Sequence, residues 1–456
     1  MASKAEARSE SGRTIATVAI VSGTFLSVLS STILYVPIAD IAHDLHVTIA
    51  AASLVVTAQA ITFATLLPLG DWTGSRFGRR KVYCIVIAMY GFAGIAGALA
   101  PNLPVLIAVR IFQGISAAAI VPLVMSLLAE LYDPADRPFA LSAWAMANSA
   151  GQALGPPLGG ILTAAFGWRS TFLPAAVIAV WACYAAWRYL PVDVPRREPL
   201  EWRGAGTLTL AALFLLTAFT AVPQLGPHSP VPVLIALAGC ISLAGFIWAI
   251  RRTDHPFVSP QAFREPSYVL SCIGVFGATI ALSVALIAIP LYLRQSLAVP
   301  VAAAGFITLT MPLSMALIAP FSSVLVRRFG SRITIQLGLI ALAAATAVLA
   351  LAVNAHAGAI ALFPQMILIG AAVAVQYTAG ASGATETAAG RFGAGIGFFN
   401  LLRIAGAAAG PALVAIVLQH DGNAYATTFG CAGAIVLAGL AASLVVNRTQ
   451  VIANPT

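Results

Sequence analysis

The sequence predicts an all-α membrane protein of fourteen transmembrane helices, two pseudo-symmetric six-helix bundles joined by a two-helix hairpin. Three observations predict it. The 456-residue chain is 60% hydrophobic and 9% charged, with mean hydropathy +0.94, so lipid must be the solvent for most of it. Its lysines and arginines recur in alternate short loops. One cationic turn occurs twice, as Arg76-Phe77-Gly78-Arg79-Arg80 and Arg328-Phe329-Gly330-Ser331-Arg332, each time after the second apolar span of a six-span half. Such a repeat implies two halves packed around a shared cavity, which is transporter architecture.

Crossing ~30 Å of hydrocarbon takes about 20 apolar residues. Fourteen stretches qualify: 14–38, 49–70, 82–100, 104–129, 139–165, 170–190, 204–222, 231–250, 268–292, 302–325, 333–353, 358–379, 393–418 and 425–446. The first six make an N-terminal bundle within 1–190, the next two a hairpin within the linker 191–266, and the last six a C-terminal bundle within 267–456. The polar segments 191–203 and 251–266 are the connections. The N-terminus is polar up to Arg13 and then apolar for longer than a signal-peptide core, so it reads as a retained first span.

The basic residues test this count. The N-terminal tail, the even-to-odd loops and the C-terminal tail hold Lys4, Arg8, Arg13, Arg76, Arg79, Arg80, Lys81, Arg137, Arg188, Arg196, Arg197, Arg203, Arg251, Arg252, Arg264, Arg327, Arg328, Arg332, Arg391 and Arg448, 20 of the 24 Lys and Arg. The opposite side holds Arg169 and Arg294, and Arg110 and Arg403 lie within spans. This asymmetry puts both termini in the cytoplasm. A net charge of +9 would suit nucleic acid, but cations confined to short loops on one side exclude it. Five of the six histidines (His43, His46, His228, His356, His420) fall on the outer side as ordinary loop polarity. The five cysteines lie far apart in apolar spans, so no disulfide, metal site or cofactor is expected. The Ala- and Gly-rich composition points to a bacterial inner (plasma) membrane. The expected partners are the lipid bilayer and a small-molecule substrate, for a chain acting as a monomer.

The motifs come in chain order. In the tract from Gly70 to Lys81, Gly70, Gly74 and Gly78 recur every four residues and line one face if the helix runs on. Gly78 suits a tight turn. Gly74, Arg76, Gly78 and Arg79, with Arg328 and Gly330 in the second copy, are candidate gating residues, although Arg79, Arg80 and Lys81 also suit a plain interfacial anchor. Span four carries Arg110-Ile111-Phe112-Gln113-Gly114. An arginine within a span is costly unless it faces a cavity or a partner. Two roles are open to Arg110: coupling, or a structural guanidinium satisfied by backbone carbonyls.

Span five carries Gly151-Gln152-Ala153-Leu154-Gly155-Pro156-Pro157-Leu158-Gly159-Gly160. Gly151, Gly155 and Gly159 form one flat stripe, and the prolines remove backbone donors and bend the helix. A smooth, bent helix of this kind can rock against a neighbour. Trp144, Asn148 and Gln152 extend the four-residue rhythm, either lining the cavity or packing between helices. Tyr35, at the end of span one, joins them as a cavity candidate. In the second half, Gln365 and Gln376 return to one face of span twelve, and Asn400 and Arg403 are one turn apart in span thirteen.

No carboxylate lies near a span midpoint. A receptor or scaffold would need a soluble domain, for which no loop is long enough. An intramembrane enzyme would need paired catalytic groups within the spans, which supply none, so no catalytic residue is expected and the chain is not read as an enzyme.

These residues resemble the major facilitator superfamily, and specifically its fourteen-span drug:proton antiporter branch. Leu29-Ser30-Ser31-Thr32-Ile33 resembles the span-one motif, Gly74 to Arg80 the loop between spans two and three, and Arg110 to Gly114 the span-four motif, whose arginine is implicated in proton coupling. Gly151 to Gly160 resembles the span-five antiporter motif of exporters, and Asn400 to Arg403 the corresponding piece of span thirteen. The resemblance implies alternating access, export of an amphipathic or drug-like small molecule, and proton antiport. Two positions depart from the pattern: Ser30 stands where the branch carries an aspartate, and Ser75 where an acid precedes Arg76. Asp71, one turn earlier, is the candidate substitute and joins Arg110 and Arg403 as a coupling residue; Glu130 is a second carboxylate at the same rim. The alternative reading is a metabolite or organic-anion carrier, importing or uncoupled.

Overall fold

The computed structural model describes residues 10–191, 201–225, 229–253, 260–386, 392–418 and 424–453, and the regular elements among them are all helical. In chain order the α-helices are α1 (Glu10–Thr32), α2 (Ile38–Asp44), α3 (Ile49–Leu66), α4 (Gly70–Phe77), α5 (Arg79–Ala98), α6 (Leu103–Leu131), α7 (Arg137–Phe166), α8 (Leu173–Tyr189), α9 (Trp202–Leu225), α10 (Pro230–Arg252), α11 (Pro266–Gln295), α12 (Val301–Asn354), α13 (Ala359–Glu386), α14 (Phe392–Leu418) and α15 (Ala424–Ala453). Among the described residues, 11 helices are long and apolar enough to cross a membrane. The expected fourteen differ from these at three places. The apolar part of α3 is short, 51–66. Helix α7, carrying Trp144, Asn148, Gln152 and its glycines, is less apolar. The stretch labelled α12 is two helices in series, joined at a kink where Gly330 leaves helical geometry (φ 78, ψ 164) between two expected spans. Residues 192–200 of the first expected connection and 254–259 of the second lie outside the described residues, as do Lys4, Arg8, His228, Arg391 and His420.

Local chemistry sets the helix ends. Thr48 and Asn102 cap α3 and α6, accepting from Ala51 N and Val105 N at 3.1 Å, which satisfies donors the first turn leaves orphaned. A 3-10 turn at Leu67–Leu69, with Pro68 inside it, separates α3 from α4. Gly78 has φ 95 and joins α4 to α5. A side chain is strained at that φ, so both copies of the basic turn reverse on a glycine.

The chain forms two compact units, Met1–Ala205 and Gly206–Thr456. In the first, α1 packs on α7, α3 on α6, and α5 on α8. In the second, α11 packs on α14, and α12 on both α13 and α15. These are the same three pairings, and glycines make each one. A Cβ on Gly114 would crowd Gln59 O and Thr62, and one on Gly370 would overlap Ser314 and Met311 O. Gly91 meets Ala179, as Gly433 meets Thr346. Gly151, Gly155 and Gly159 lie on Phe25, Val28, Leu29, Thr32 and Ile33 of the first span, as Gly406 and Gly410 lie on Phe276, Thr279 and Ser283 of α11. Gly239 of α10 sits against Leu215 of α9. In a medium as apolar as the side chains themselves, close backbone approach is what holds helices together.

One contact was hidden by sequence distance. Cys84 and Cys183 face each other across α5 and α8, each thiol against the other's carbonyl oxygen at 3.9 and 3.7 Å.

The glycine contacts are directly testable. A Cβ on Gly155 would overlap Thr32 Oγ1, whereas one on Gly160 meets only Val36 at 3.8 Å. Gly155→Leu is expected to cost about 2–3 kcal/mol by overpacking and to lower the melting temperature of the purified protein, while Gly160→Leu leaves it close to the parent's.

Candidate functional site

Arg110 is the centre of the first unit's polar interior. It lies on α6 and is 1% exposed. Its Nε donates to Val55 O of α3 at 2.9 Å, and its Nη1 to Ser30 O of α1 at 3.2 Å and to Gln113 Oε1 at 2.9 Å. One guanidinium thus ties three helices. Gly114, one residue beyond Gln113, makes this reach possible by letting α6 approach α3. The carbonyl-bonded role left open by the sequence is present, but the acceptors are all neutral. Ser30, where the branch carries an acid, contributes its backbone oxygen. Arg110 Nη2 and Gln113 Nε2 are buried donors with no partner among the described residues. Both can hold an acceptor atom.

Trp144 and Asn148 are fully buried, and Gln152 Nε2 donates to Asn148 Oδ1 at 2.7 Å. Asn148 Nδ2 has no partner among the described residues. Tyr35 is 55% exposed at the end of a 3-10 turn, Ile33–Tyr35. Sequence reasoning missed Gln59 and Tyr90, two buried side chains whose bond, Gln59 Nε2 to the Tyr90 hydroxyl at 2.9 Å, links α3 to α5. The available signal was a lone glutamine one turn beyond Val55.

In the second unit, Gln376 is fully buried and donates to Ile335 O. It is threaded between Gly274 and Gly338, whose added Cβ atoms would each lie 2.7 Å from its amide. It therefore works as a strut between α11, α12 and α13. Gln365 is only half-buried, so the structure does not give the two glutamines one environment. Arg403 Nε donates to Asn400 Oδ1 at 3.2 Å, and its guanidinium lies 5.8 Å from the Tyr377 ring centroid. The two intramembrane arginines share a design, each bonded to an amide oxygen three residues away on its own helix.

The basic turns are tied to carboxylates the sequence had not paired with them. Arg79 is 4% exposed; its Nη1 is ion-paired with Glu130 at the end of α6, and its Nη2 donates to Ser75 Oγ at 3.2 Å. Arg79 is thus an internal brace. In the second unit, Ser331 Oγ donates to Glu386 Oε2 at 2.7 Å, at the end of α13. Glu130 and Glu386 are equivalent in the repeat. Gly74 is pressed against Leu123 of α6. Arg76 is half-buried and Arg328 exposed, the latter over the Phe329 ring. Pro156 lies inside α7, beside the Gly155 contact. The side chain of Asp71 lies outside the described residues.

At the opposite end of the first unit, Asp44 accepts from Trp168 Nε1 at 3.1 Å and is ion-paired with Arg169, which also donates to Ala100 O. Three loops are thereby joined over an apolar cluster containing Ile33, Ile41, Leu106 and Phe172. Hydrogen bonds, first from Arg169 and then from Trp168, hold the Asp44 carboxyl below the ordinary aspartate value of 3.8.

This fold and these motifs define a multi-helix membrane protein. Residues 20–257 and 271–455 match the Major Facilitator Superfamily, and the chain belongs to that family, whose members are multi-pass integral membrane proteins. It is 27% identical to the multidrug resistance protein Stp of Mycobacterium tuberculosis, over 70% of this chain and 59% of that one. It is 31% identical to the methylenomycin A resistance protein of Streptomyces coelicolor, over 58% of this chain and 57% of that one. The chain therefore spans under two thirds of the length of these relatives. The human organic anion transporter MFSD10 shares the fold, with TM-score 0.70 and 18% identity over 95% of this chain and 99% of that one. The proton:xylose symporter XylE does so with TM-score 0.67 and 16% identity, over 92% and 94%.

Two outcomes are expected. A depressed carboxyl pKa stabilises the fold fully above the unfolded value and loses that effect as pH falls through the folded value. The melting temperature of the parent should therefore exceed that of Asp44→Asn at pH 7, with the gap closing below about pH 4. A double-mutant cycle with Arg79→Gln and Glu130→Gln should give a coupling of roughly 1 kcal/mol, since one partner is buried and the other half-exposed.

Proposed function

We propose that this protein is a secondary active transporter that exports small amphipathic or drug-like molecules by alternating access. The observation that carries the reading is the Gly151/Gly155/Gly159 stripe seated on the first span, because it is the structural form of the motif that marks exporters in the branch this chain resembles. Relatives named for multidrug and antibiotic resistance support the same direction. The reading takes the chain as fourteen spans, with α3 and α7 completing the membrane count, α12 serving as two, and the segment 191–266 as a two-helix insert between bundles. The basic turns then face the cytoplasm with both termini, and the protein is a monomer in a bacterial plasma membrane.

In this reading the glycine faces are smooth surfaces on which α7 and α14 shift against α1 and α11. The Arg79–Glu130 and Ser331–Glu386 contacts stiffen the basic turn of each unit. Arg110, Gln113, Asn148 and Gln152 in the first unit, and Asn400 and Arg403 in the second, supply the polar contacts, with Trp144, Tyr35, Gln365 and Gln376 beside them. Few charges and unpartnered amide donors suit a substrate that is apolar with one or two acceptor atoms.

A second reading, uncoupled export, is favoured by Ser30. Among the described residues Arg110 has no carboxylate partner, so in this reading a transported proton is carried elsewhere, at Asp71 or Glu130.

Ethidium efflux from cells lacking their own pumps tests the proposal. Expression should lower accumulation, and Arg110→Ala should slow efflux at least about tenfold, equivalent to roughly 1.4 kcal/mol. A protonophore separates the readings: antiport fails with it and uncoupled export persists. Accumulation unchanged by expression, across neutral and cationic dyes, would contradict the export reading.

A further inference from the structure

The surface between α5 and α8 carries a feature that transport does not use. The two helices meet through small residues, Gly91 on Ala179 and Gly94 on Ala175. Large side chains rise on both sides of this seam: Phe92 and Ile95 on α5, and Val180, Tyr184 and Trp187 on α8. Phe92 and Tyr184 are each 69% exposed, and Val180 73%. Between them runs an open groove of about 690 Å³, lined by apolar and aromatic residues with no charged group.

The groove has a polarity along its length. At one end the Arg80 guanidinium stacks over the Trp187 ring at 4.8 Å and donates to Trp187 O. Arg188, the next residue, is exposed. Tyr184 and Trp187 stand at that same end, where amphipathic rings mark a membrane–water interface. The lining from Ala176 to Trp187 covers about 16 Å of helix, close to half of the ~30 Å hydrocarbon thickness. The groove is therefore one leaflet long, apolar throughout, and cationic at its headgroup end.

We propose that this groove is a binding site for an anionic phospholipid, with an acyl chain lying along the Gly91–Ala179 seam and the phosphate beside Arg80 and Arg188. A thin apolar trough accepts a chain, and two guanidiniums accept a phosphate better than a zwitterionic headgroup. The leaflet, cytoplasmic, rests on the orientation proposed above; the binding itself does not.

The test uses the full chain reconstituted in phosphatidylcholine vesicles with rising fractions of either dibrominated phosphatidylglycerol or dibrominated phosphatidylcholine. The readout is the quenched tryptophan fluorescence that disappears in Trp187→Phe. Phosphatidylglycerol should saturate this component with roughly fivefold higher affinity, the ratio for about 1 kcal/mol of headgroup attraction. The double variant Arg80→Gln/Arg188→Gln should bring the ratio near one, and Arg80→Lys/Arg188→Lys should restore most of it, which controls for folding. Ala88→Phe, filling the groove, should remove the saturable component with both charges intact. Equal affinity for the two lipids, or a preference that survives both the Gln variant and Ala88→Phe, overturns the proposal. So does displacement of the brominated lipid by ethidium, which would make the groove a substrate passage. Ethidium efflux is measured on the same variants, so loss of lipid preference with efflux intact is distinguishable from failure of transport.

Discussion

The burial of Arg110 is the constraint on which the first unit depends. An arginine at the middle of a membrane helix costs about 3 kcal/mol on an insertion scale, and a buried charge with poor partners costs more. Here the guanidinium is offset by directional bonds to Val55 O, Ser30 O and Gln113 Oε1. Two of those are main-chain oxygens of other helices, so the charge is satisfied only when α1, α3 and α6 are correctly placed. The cost of the arginine becomes a requirement on helix position. Gly114 makes the requirement attainable, because any side chain there would push α6 away from α3.

The same logic recurs at lower cost in the second unit, where Asn400 serves Arg403 as Gln113 serves Arg110. The repeat extends to the ends of the helices. Gly78 and Gly330 turn the chain with positive φ, and the residue after each, Arg79 or Ser331, meets a glutamate, at the end of α6 or of α13. The substitution of serine for arginine keeps the contact and loses the charge, so the two locks differ in strength.

Much of this was legible in the sequence, and the reasons are physical. Hydropathy and the placement of cations exposed the helical layout, because lipid admits few alternatives. The glycine stripe at 151, 155 and 159 was visible because helical spacing alone puts it on one face. Its counterpart, Gly406 and Gly410 followed by Pro411, was passed over for the more conspicuous Arg403. The break at Gly330 falls between two expected spans; span lengths were less legible at α3, whose apolar part is short, and at α7, whose polar residues dilute its hydropathy. Partners were least legible of all. Nothing in the spacing of Arg79 and Glu130, of Gln376 and the glycines around it, or of Asp44 and Arg169 links them; only packing does. Gln376 illustrates why: a polar residue on a helix face reads equally as cavity wall or as strut, and the two glycines that decide between them lie on other helices.

The central claim is that Arg110 acts through the fork of its guanidinium rather than through its charge. Lysine preserves the charge but offers a point donor that cannot span three acceptors on three helices. The direct measurement is ethidium efflux by Arg110→Lys, at matched expression and with its melting temperature recorded. The account predicts loss of transport comparable to Arg110→Ala together with a lowered melting temperature. Full transport by Arg110→Lys would contradict it and make the charge itself the requirement.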